Sequence, residues 1–270
     1  MTDRDVASAD ERRRRITAIV DGGGFASVAD ISEAVGVSSV TVRGDLDALD
    51  RLGLLRRIRG GALSLDPAAL PERPFEETEG EAAGAKAAIA ARAAQLVQPG
   101  MCVLLDVGTT CAAVARELLH REDLHDVTVI TSGLSIALAL EPAIPRLQVV
   151  VTGGTLRPLQ HSLVAPLGTL LLEHVRADLA VVGCNGVDAE AGITNINLPE
   201  AEVKRAMIAA SSSVAVVADG SKIGRARLGV VAPASEVDWI VTDDTAPAEA
   251  LAALTALDAP EIAVAGSARG

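Results

Sequence analysis

Several short segments of this sequence place small hydroxyl side chains, glycines or charged groups directly after an apolar run. One of them, Asp106-Val107-Gly108-Thr109-Thr110, ends a candidate strand, and Thr110 opens a candidate helix. Backbone N–H groups, two hydroxyls and a helix N-terminus converge there, which is what a phosphate group requires. We therefore expect phosphate binding at this segment, with Asp106 either orienting a ligand hydroxyl or capping the turn that follows it.

Four further segments have the same character: Thr131-Ser132-Gly133, Thr152-Gly153-Gly154-Thr155, Gly183-Cys184-Asn185-Gly186 and Asp219-Gly220-Ser221-Lys222. Any one of them alone is more typical of an ordinary turn. Because ligands bind at the carboxyl ends of the strands in an open α/β sheet, the whole set predicts a binding site at that edge. The Lys222 ammonium suits a phosphate, and its alternative is a surface ion pair with Asp219 or Glu200.

A second kind of chemistry is indicated by the stretch from Val37 to Ala62. Ser38 is a favourable N-cap, and Val42, Leu46 and Leu49 follow at helical spacing, so one stripe of a helix is buried. The residues left facing outward are Ser39, Thr41, Arg43 and Asp47. The hairpin that follows has a Gly-Gly turn and three arginines, Arg56, Arg57 and Arg59. The stretch predicts a recognition helix and a basic β-wing that contact DNA.

The elements that must position this helix precede it. Ile16, Ile19 and Val20 predict a first helix over residues 11–21, and residues 28–35 form a second, with Gly36 as the turn into the third. Two helices, a glycine turn, a capped helix and a basic wing are together more specific than one amphipathic helix. The basic run Arg12 to Arg15 either contacts phosphates or forms a solvated helix face.

Beyond Ala85, helical stretches alternate with short runs rich in Val, Ile and Leu. The candidate strands cover residues 102–105, 127–131, 147–152, 179–182, 214–218, 239–242 and 262–265. Their almost continuous apolar character indicates burial on both faces, and the intervening helices indicate parallel crossovers. The predicted fold class is therefore α/β, with a small N-terminal winged helix-turn-helix and a larger C-terminal α/β sandwich whose sheet is mainly parallel.

Composition limits the remaining possibilities. The net charge is −12, but residues 1–62 hold ten Arg and ten acidic residues, so the other 208 residues carry all of the excess. This asymmetry is typical of a DNA-binding head on an acidic body, where local basic patches neutralise phosphates. Without a long apolar run or an export signal, we expect a cytoplasmic protein that makes no membrane contact. Three scattered cysteines and four histidines show no metal motif, and we expect no metal and no cofactor.

The N-terminal motifs resemble a known family. The run Val37-Ser38-Ser39-Val40-Thr41-Val42-Arg43-Gly44-Asp45-Leu46, followed by Gly53-Leu54-Leu55-Arg56 and Gly60-Gly61-Ala62, is similar to the winged helix-turn-helix of the DeoR family, bacterial regulators of sugar metabolism. The sequence departs from the family pattern at Gly44, where a second arginine is usual, and at Arg59, where histidine is usual. A mid-helix glycine costs about 1 kcal/mol relative to alanine.

The resemblance continues from Lys86 to Lys222 into the family's effector domain, which is similar in fold to ribose-5-phosphate isomerase and glucosamine-6-phosphate deaminase. It implies that Asp106, Gly108, Thr109 and Thr110 hold a phosphate or sugar hydroxyls, and that Thr152, Gly153 and Gly154 line the same cleft. It further implies that Asn185, Gly186, Glu200, Lys204 and Lys222 approach the sugar or its phosphate. Glu200 and Lys204 have an alternative role as a pair four residues apart on one helix. The sequence departs from the family at Ser132 and Ala165.

These observations predict three segments. Residues 1–63 form the winged helix-turn-helix domain, residues 64–84 form a proline-containing acidic linker, and residues 85–270 form the domain that binds a sugar-phosphate effector. Within the linker, Thr78 stands where the family often has an arginine.

The leading hypothesis is a transcriptional regulator, a repressor of a carbohydrate-utilisation operon, whose body binds a phosphorylated sugar. Its partners are a double-stranded DNA operator and further copies of itself, as a dimer or tetramer, because one head reads only a few base pairs. The alternative is a sugar-phosphate isomerase or deaminase with an appended DNA-binding domain, in which Asp106 or Glu200 is the base beside Lys222. A non-specific architectural DNA protein is a third hypothesis, disfavoured by the acidic body.

Overall fold

The computed structural model describes residues 3–23, 25–65 and 72–266. The N-terminal head consists of α1 (Asp3–Gly23), β1 (Phe25–Ser27), α2 (Val28–Val35), α3 (Ser39–Arg51), β2 (Leu55–Ile58) and β3 (Gly61–Ser64). The predicted helix over residues 28–35 is confirmed with the same bounds. The first helix extends beyond its predicted range at both ends, and the strand β1 was not predicted.

Local capping explains where the head helices begin and end. Ser27 and Asp30 form a reciprocal capping box at the start of α2, and Gly36, with a φ of 74°, ends it in the left-handed conformation. The Ser38 hydroxyl accepts a hydrogen bond from the Thr41 N–H at the start of α3, as the sequence predicts. The buried stripe of α3 packs on α1, α2 and β2, so the recognition helix has a fixed orientation.

The wing is confirmed, but its turn is Arg59-Gly60 and not the predicted Gly-Gly pair, because Gly61 already pairs with Ile58 in the sheet. Strands β2 and β3 are antiparallel, and β3 also pairs with β1, giving a three-stranded sheet in the order β1-β3-β2. The connection between β2 and β3 is Arg59-Gly60, and Gly60 has a φ of 85°, a conformation that glycine adopts at little cost.

The C-terminal body follows the predicted alternation of helices and strands. Its elements are α4 (Phe75–Glu79), α5 (Ala83–Ala94), β4 (Cys102–Leu105), α6 (Thr109–His120), β5 (Val127–Thr131), α7 (Leu134–Leu140), β6 (Leu147–Val151), β7 (Thr155–Arg157), β8 (Ser162–Val164), α8 (Leu167–Leu170), β9 (Ala177–Gly183), β10 (Gly186–Asp188), β11 (Gly192–Asn195), α9 (Leu198–Ala209), β12 (Ser211–Val217), β13 (Gly229–Ala232), β14 (Trp239–Asp243), α10 (Ala248–Thr255) and β15 (Glu261–Ala265).

All seven predicted strands form one parallel sheet in the order β15-β14-β12-β9-β4-β5-β6. Successive residues of β4 enter different cores: Val103 and Leu105 pack with α5 and α6, whereas Leu104 packs on the face covered by α9. Burial on both faces is the physical reason that these strands are apolar throughout. The α/β fold class is confirmed.

Two smaller sheets were not predicted. Strands β7 and β8 form a two-stranded antiparallel hairpin, and β10, β11 and β13 form a three-stranded antiparallel sheet. Their strands are only three or four residues long, so they lack the longer apolar runs used to find the main sheet. Among the described helices, none has the length and apolar character needed to cross a membrane.

The segment predicted as a linker contains ordered structure. Residues 66–71, including Pro67 and Pro71, lie outside the described residues. After them, α4 buries Phe75 against the body core, and its ring lies 5.5 Å from the ring of His161. Part of the composition-defined linker therefore packs as a wall of the body. The domain boundaries themselves stay a prediction.

Candidate functional site

A cavity of about 350 Å³ opens at the carboxyl ends of the central strands β4, β9 and β12. Its lining includes seven of the predicted effector residues: Gly108, Thr109, Thr110, Asn185, Glu200, Lys204 and Lys222. The parallel sheet explains this convergence, because neighbouring strands deliver their terminal residues to one edge.

The N-terminus of α6 forms one end of the cavity. Gly108, with a φ of 99°, turns the chain from β4 into the helix, and no side chain of the described residues caps the first turn. Thr110 is in the cavity lining and is 3% exposed, and its buried hydroxyl has no hydrogen-bond partner in the described structure. A buried hydroxyl without a partner beside free helical N–H groups is the arrangement that an anion completes.

Asp106 lies beneath the cavity rather than in its lining. Its Oδ2 accepts a hydrogen bond from the Gly183 N–H at 2.9 Å and a charged hydrogen bond from the Lys204 ammonium. Lys204 is 2% exposed, and although burial favours the neutral amine, Asp106 and Glu200 raise the pKa of Lys204. Asp106 therefore fastens β4 to β9 and keeps Lys204 charged at the cavity, and the direct ligand contact implied for it stays a prediction.

Glu200 belongs to a different ion pair from Lys204. Its Oε1 accepts hydrogen bonds from Arg157 Nη1 at 2.5 Å and Ser162 Oγ at 2.6 Å. The Arg157 guanidinium also binds Glu72 Oε2 at 2.5 Å, which ties the segment before α4 to this wall. The expected pairing of Glu200 with Lys204 is thus replaced by two separate pairs, because tertiary neighbours compete successfully with the helical one.

Positive charge accumulates opposite this wall. Lys222 Nζ lies 3.5 Å from Asp219 Oδ2, so the alternative ion pair predicted for it is present, although a quarter of its side chain stays exposed. Burial and the neighbouring Lys222 lower the pKa of Lys86, whose ammonium donates to the Thr78 carbonyl at 2.5 Å. The Nε of Arg227 is buried and has no partner among the described residues. Burial and the nearby Arg225 lower the pKa of Arg227. An anionic ligand in the cavity would offset the desolvation of these cations and the repulsion between them.

The sequence reasoning missed several residues of the lining. They are Glu72, Arg73, Thr78, Glu81, Lys86, Gln160, Asn195 and Arg227. They come from the segment predicted as a linker, from α5, from the turn between β7 and β8, from the end of β11 and from the segment before β13, so no strand of the main sheet marks them. One signal was available: Thr78 occupies a position at which the family often has an arginine.

Other implied residues do not reach the cavity. Thr152, Gly153 and Gly154 follow β6, which is an edge strand of the main sheet two positions from β4. Gly154 packs on β8, since a Cβ there would lie 2.6 Å from the Val164 carbonyl oxygen. Gly186 packs in the same way on the Arg225 carbonyl oxygen. The structure assigns these two glycines close packing instead of a place in the lining.

The DNA-reading face of the head is partly as predicted. Ser39, Arg43 and Asp47 are exposed along α3, whereas Thr41 is half-buried and shares a hydrogen bond with the Ser38 hydroxyl at 3.0 Å. The sequence reasoning missed Val40, which is 74% exposed near the start of α3. An apolar side chain at that place fits the methyl group of thymine in the major groove.

The wing arginines divide into two kinds. Arg57 pairs with Asp47 and also donates its backbone N–H to Asp50 Oδ1 at 3.0 Å, so it fastens the wing to α3. Arg56 and Arg59, like Arg43, are exposed and make no ion pair with any residue in the described ranges. These three arginines are free to neutralise DNA phosphates.

The basic run in α1 has a structural role. Arg12 and Arg13 both bind Asp45, which is 3% exposed in α3, with Nε to carboxylate distances of 2.5 Å and 3.0 Å. Hydrogen bonding to Asp45 raises the pKa of Arg12. Neither alternative considered for this run describes these two arginines, which hold the recognition helix on α1.

Comparison with known proteins covers both parts of the chain. The model of the DeoR-like helix-turn-helix domain matches residues 12–68, and that of the DeoR C-terminal sensor domain matches residues 81–244. The chain is 35% identical over 239 residues to the HTH-type transcriptional regulator GlpR of Haloferax volcanii, covering 88% of this chain and 91% of that protein. It is 33% identical over 250 residues to the putative aga operon transcriptional repressor of Escherichia coli O157:H7, covering 92% and 91%.

A solved structure of ribose 5-phosphate isomerase A from Methanocaldococcus jannaschii is similar to the chain with a TM-score of 0.37 and 21% identity. The similarity covers 51% of this chain and 52% of that one. A likeness this weak does not extend the activity of that enzyme to this protein.

Proposed function

Because this chain belongs to the DeoR family of helix-turn-helix transcriptional regulators, we propose that it represses a carbohydrate-utilisation operon under the control of a phosphorylated sugar. The family consists of regulators and not of enzymes, so the isomerase or deaminase alternative is set aside. The contacts agree with this, because Asp106 and Glu200, the two candidate bases, are already paired with cations.

The observation that carries the effector proposal is the unsatisfied Thr110 hydroxyl at the N-terminus of α6. Arg227 is also in the cavity lining, its buried Nε has no partner in the described ranges, and Lys86 and Lys222 add positive charge. A phosphate placed at this end accepts hydrogen bonds from the helical N–H groups and from these side chains. The volume of about 350 Å³ is within the range of small-ligand sites.

The opposite wall suits sugar hydroxyls. Asn185, Asn195 and Gln160 provide amide groups that both donate and accept hydrogen bonds, and Glu200 provides an acceptor. The cavity lining therefore combines cationic side chains with amide and carboxylate groups that can bind hydroxyls. That combination matches a monosaccharide with one phosphate better than it matches an unphosphorylated sugar or a free phosphate.

On this proposal, the protein acts in the cytoplasm as a dimer or tetramer, because paired heads are needed to read repeated half-sites with useful affinity. The sugar phosphate must bind more tightly to one arrangement of the heads than to the other, since equal affinity would not change DNA binding. A footprint on the operator that is lost when the sugar phosphate is added is the expected form of induction.

The direct test is a thermal-shift panel of sugar phosphates, their unphosphorylated parents and inorganic phosphate. A ligand at about 100 times its Kd stabilises the fold by roughly 2.7 kcal/mol, which raises the Tm clearly. We expect Thr110→Val to weaken the bound sugar phosphate about tenfold, the equivalent of roughly 1.4 kcal/mol, with little loss of stability in its absence.

Thr242→Val is the matched control, because the Thr242 hydroxyl is also buried without a described partner but lies on β14, outside the cavity lining. It should leave the affinity unchanged. The phosphate assignment would be contradicted if the parent sugars raised the Tm as much as the sugar phosphates do. It would also be contradicted if Thr110→Val and Thr242→Val lost the same affinity for the sugar phosphate.

A further inference from the structure

The wing of the head is in contact with the body at the turn between β10 and β11. A Cβ placed on Gly60 would lie 2.5 Å from Glu190 Oε2 and 3.0 Å from Glu190 Cβ. The Glu190 carboxylate therefore lies directly against the backbone of the wing turn. Only a residue without a side chain fits this approach as it stands.

An apolar contact continues the same interface. Phe25 and Leu63 of the head form one buried cluster with Ala226 of the body, and Ile58 and Ala191 pack against its edge. Ala226 is fully buried, although it lies in the extended segment before β13. The head and the body thus share a small closed core.

The body side of this interface is continuous with the effector cavity. Ala226 is followed by Arg227, which lines the cavity, and β11 ends in Asn195, which lines it as well. Hydrogen bonds join the two segments: the Arg227 N–H donates to Thr194 Oγ1 at 2.9 Å, and the Gly224 N–H donates to the Val187 carbonyl at 2.8 Å. The cavity and the wing contact are therefore two ends of one hydrogen-bonded unit.

The charge at this contact opposes DNA binding by the wing. Arg56 and Arg59 flank the turn and are exposed, as phosphate contacts require. A phosphate that approached the same turn would also meet the Glu190 carboxylate, on a body that carries the whole excess of negative charge. Like charges at this separation repel, and the repulsion weakens binding that depends on phosphate neutralisation.

We propose that the β10–β11 turn is a docking surface for the wing of the same chain, and that the docked wing binds DNA more weakly than the released wing. In this arrangement the Glu190 carboxylate occupies space beside the wing turn that a DNA phosphate would approach. The connection to Arg227 and Asn195 allows a cavity ligand to bias docking, and this part rests on the function proposed above.

The test locks the wing with a disulfide in the full-length chain. A G60C/E190C double variant places two thiols whose Cβ atoms need to move only slightly from 3.0 Å to the usual separation of about 3.8 Å. Binding to a non-specific duplex of roughly 30 base pairs at low salt is followed by fluorescence anisotropy, because the phosphate term needs no operator. Although the variant lacks the Glu190 carboxylate, the crosslink holds the wing turn against the acidic body. We therefore expect the oxidised variant to bind at least about tenfold more weakly than its reduced form.

The single variants G60C and E190C, treated with the same oxidant, control for effects on the native cysteines. A cysteine at position 60 is strained by the φ of 85°, so a missing crosslink counts together with the Glu190→Gln variant. If the double variant forms no crosslink and Glu190→Gln binds DNA no more tightly than the wild type, the proposal is overturned. If the crosslinked protein binds DNA as tightly as the reduced protein, the docked wing is competent and the proposal is again overturned.

Glu190→Gln tests the charge without a new bond or a strained backbone. It should bind the duplex roughly threefold to tenfold more tightly than the wild type. Glu122→Gln, which makes the same charge change at an exposed site after α6, should have a smaller effect. Equal gains in both variants would mean that the general charge of the body matters and not the wing contact.

The crosslinking and DNA-binding assays contain no sugar phosphate. Their outcome is therefore independent of the thermal-shift panel, and failure of the wing proposal can be distinguished from failure of the effector proposal. A sugar phosphate that raises the Tm should also change the rate at which the G60C/E190C crosslink forms. An unchanged rate would overturn the coupling between cavity and wing.

Discussion

The head and the cavity both present clusters of positive charge, but the clusters differ in their surroundings. In the head, Arg43, Arg56 and Arg59 are exposed and unpaired within the described residues. In the cavity, Lys204 is buried against Asp106, and Lys222 stands beside Asp219. Positive side chains are therefore solvent-exposed in the head and largely buried in the cavity.

Because their surroundings differ, the two regions recognise phosphate in different ways. Exposed arginines attract a polymer of phosphates through the number of contacts, and salt weakens every contact. Buried cations cannot be left without a counter-charge, because desolvation is costly, so each needs a carboxylate or a ligand at a fixed position. The head should be sensitive to salt, whereas the cavity should be sensitive to geometry.

Asp45 shows that the rule depends on burial and not on the domain. It is the buried carboxylate of the recognition helix, and two arginines of α1 neutralise it. In the body, the cation and the carboxylate of one ion pair, Lys204 and Asp106, are both buried. In each region, some charged residues therefore form ion pairs that join its own helices and strands.

The largest expected effect is that of removing a buried cation. Lys204→Met leaves the Asp106 carboxylate buried without its partner, and we expect the free energy of unfolding to fall by about 3–5 kcal/mol in denaturant titrations. Lys222→Met is the matched control, and because Lys222 is partly exposed it should cost less than about 1 kcal/mol. The double variant D106N/K204M should recover part of the loss; no recovery would contradict the paired assignment.

A smaller effect is expected from an exposed arginine of the wing. Arg56→Gln should weaken binding to duplex DNA about fivefold to tenfold at roughly 0.1 M salt and reduce the salt slope by about 0.9. The free energy of unfolding should stay the same. Arg92→Gln changes an exposed arginine of α5 and should alter neither quantity. An unchanged slope for Arg56→Gln would remove it from the phosphate contacts.

The smallest effect concerns the glycine in the recognition helix. Gly44 is exposed, and a Cβ there would meet nothing within 4 Å, so Gly44→Ala should stabilise α3 by about 0.5–1 kcal/mol. Hydrogen exchange of the α3 amides measures this gain. Gly36 also has open space around it, but its φ of 74° makes Gly36→Ala destabilising. If the α3 amides exchange faster in both variants, the stability of α3 is set by its tertiary contacts and not by its helix propensity.

The main sheet could be predicted because its strands are buried on both faces. The predicted bounds 102–105 and 127–131 are those of β4 and β5, and the other five differ by at most three residues at either end. The effector residues that lie at strand ends, such as Thr110 and Asn185, were found for the same reason: the edge of a parallel sheet is defined by where the apolar runs stop.

Residues that reach the cavity from other elements could not be found in this way. Asn195 ends a short strand, Arg227 lies in the segment before β13, and Glu72 lies in a segment whose composition is typical of a linker. Arg57 and Asp47 were both predicted to contact DNA, yet they bind each other. Pairings over long sequence separations leave no local period, so neither spacing nor composition indicates them.

Periodicity, caps and turns act over a few neighbouring residues, and they were sufficient to predict the recognition helix, the wing and the seven strands of the main sheet. Only the tertiary structure decided which charges are paired, which are free, and which segments close the cavity. It also placed Glu190 against the wing turn, across 130 residues of chain. The physical reason is that desolvation and ion pairing depend on neighbours in space, which the folded chain alone brings together.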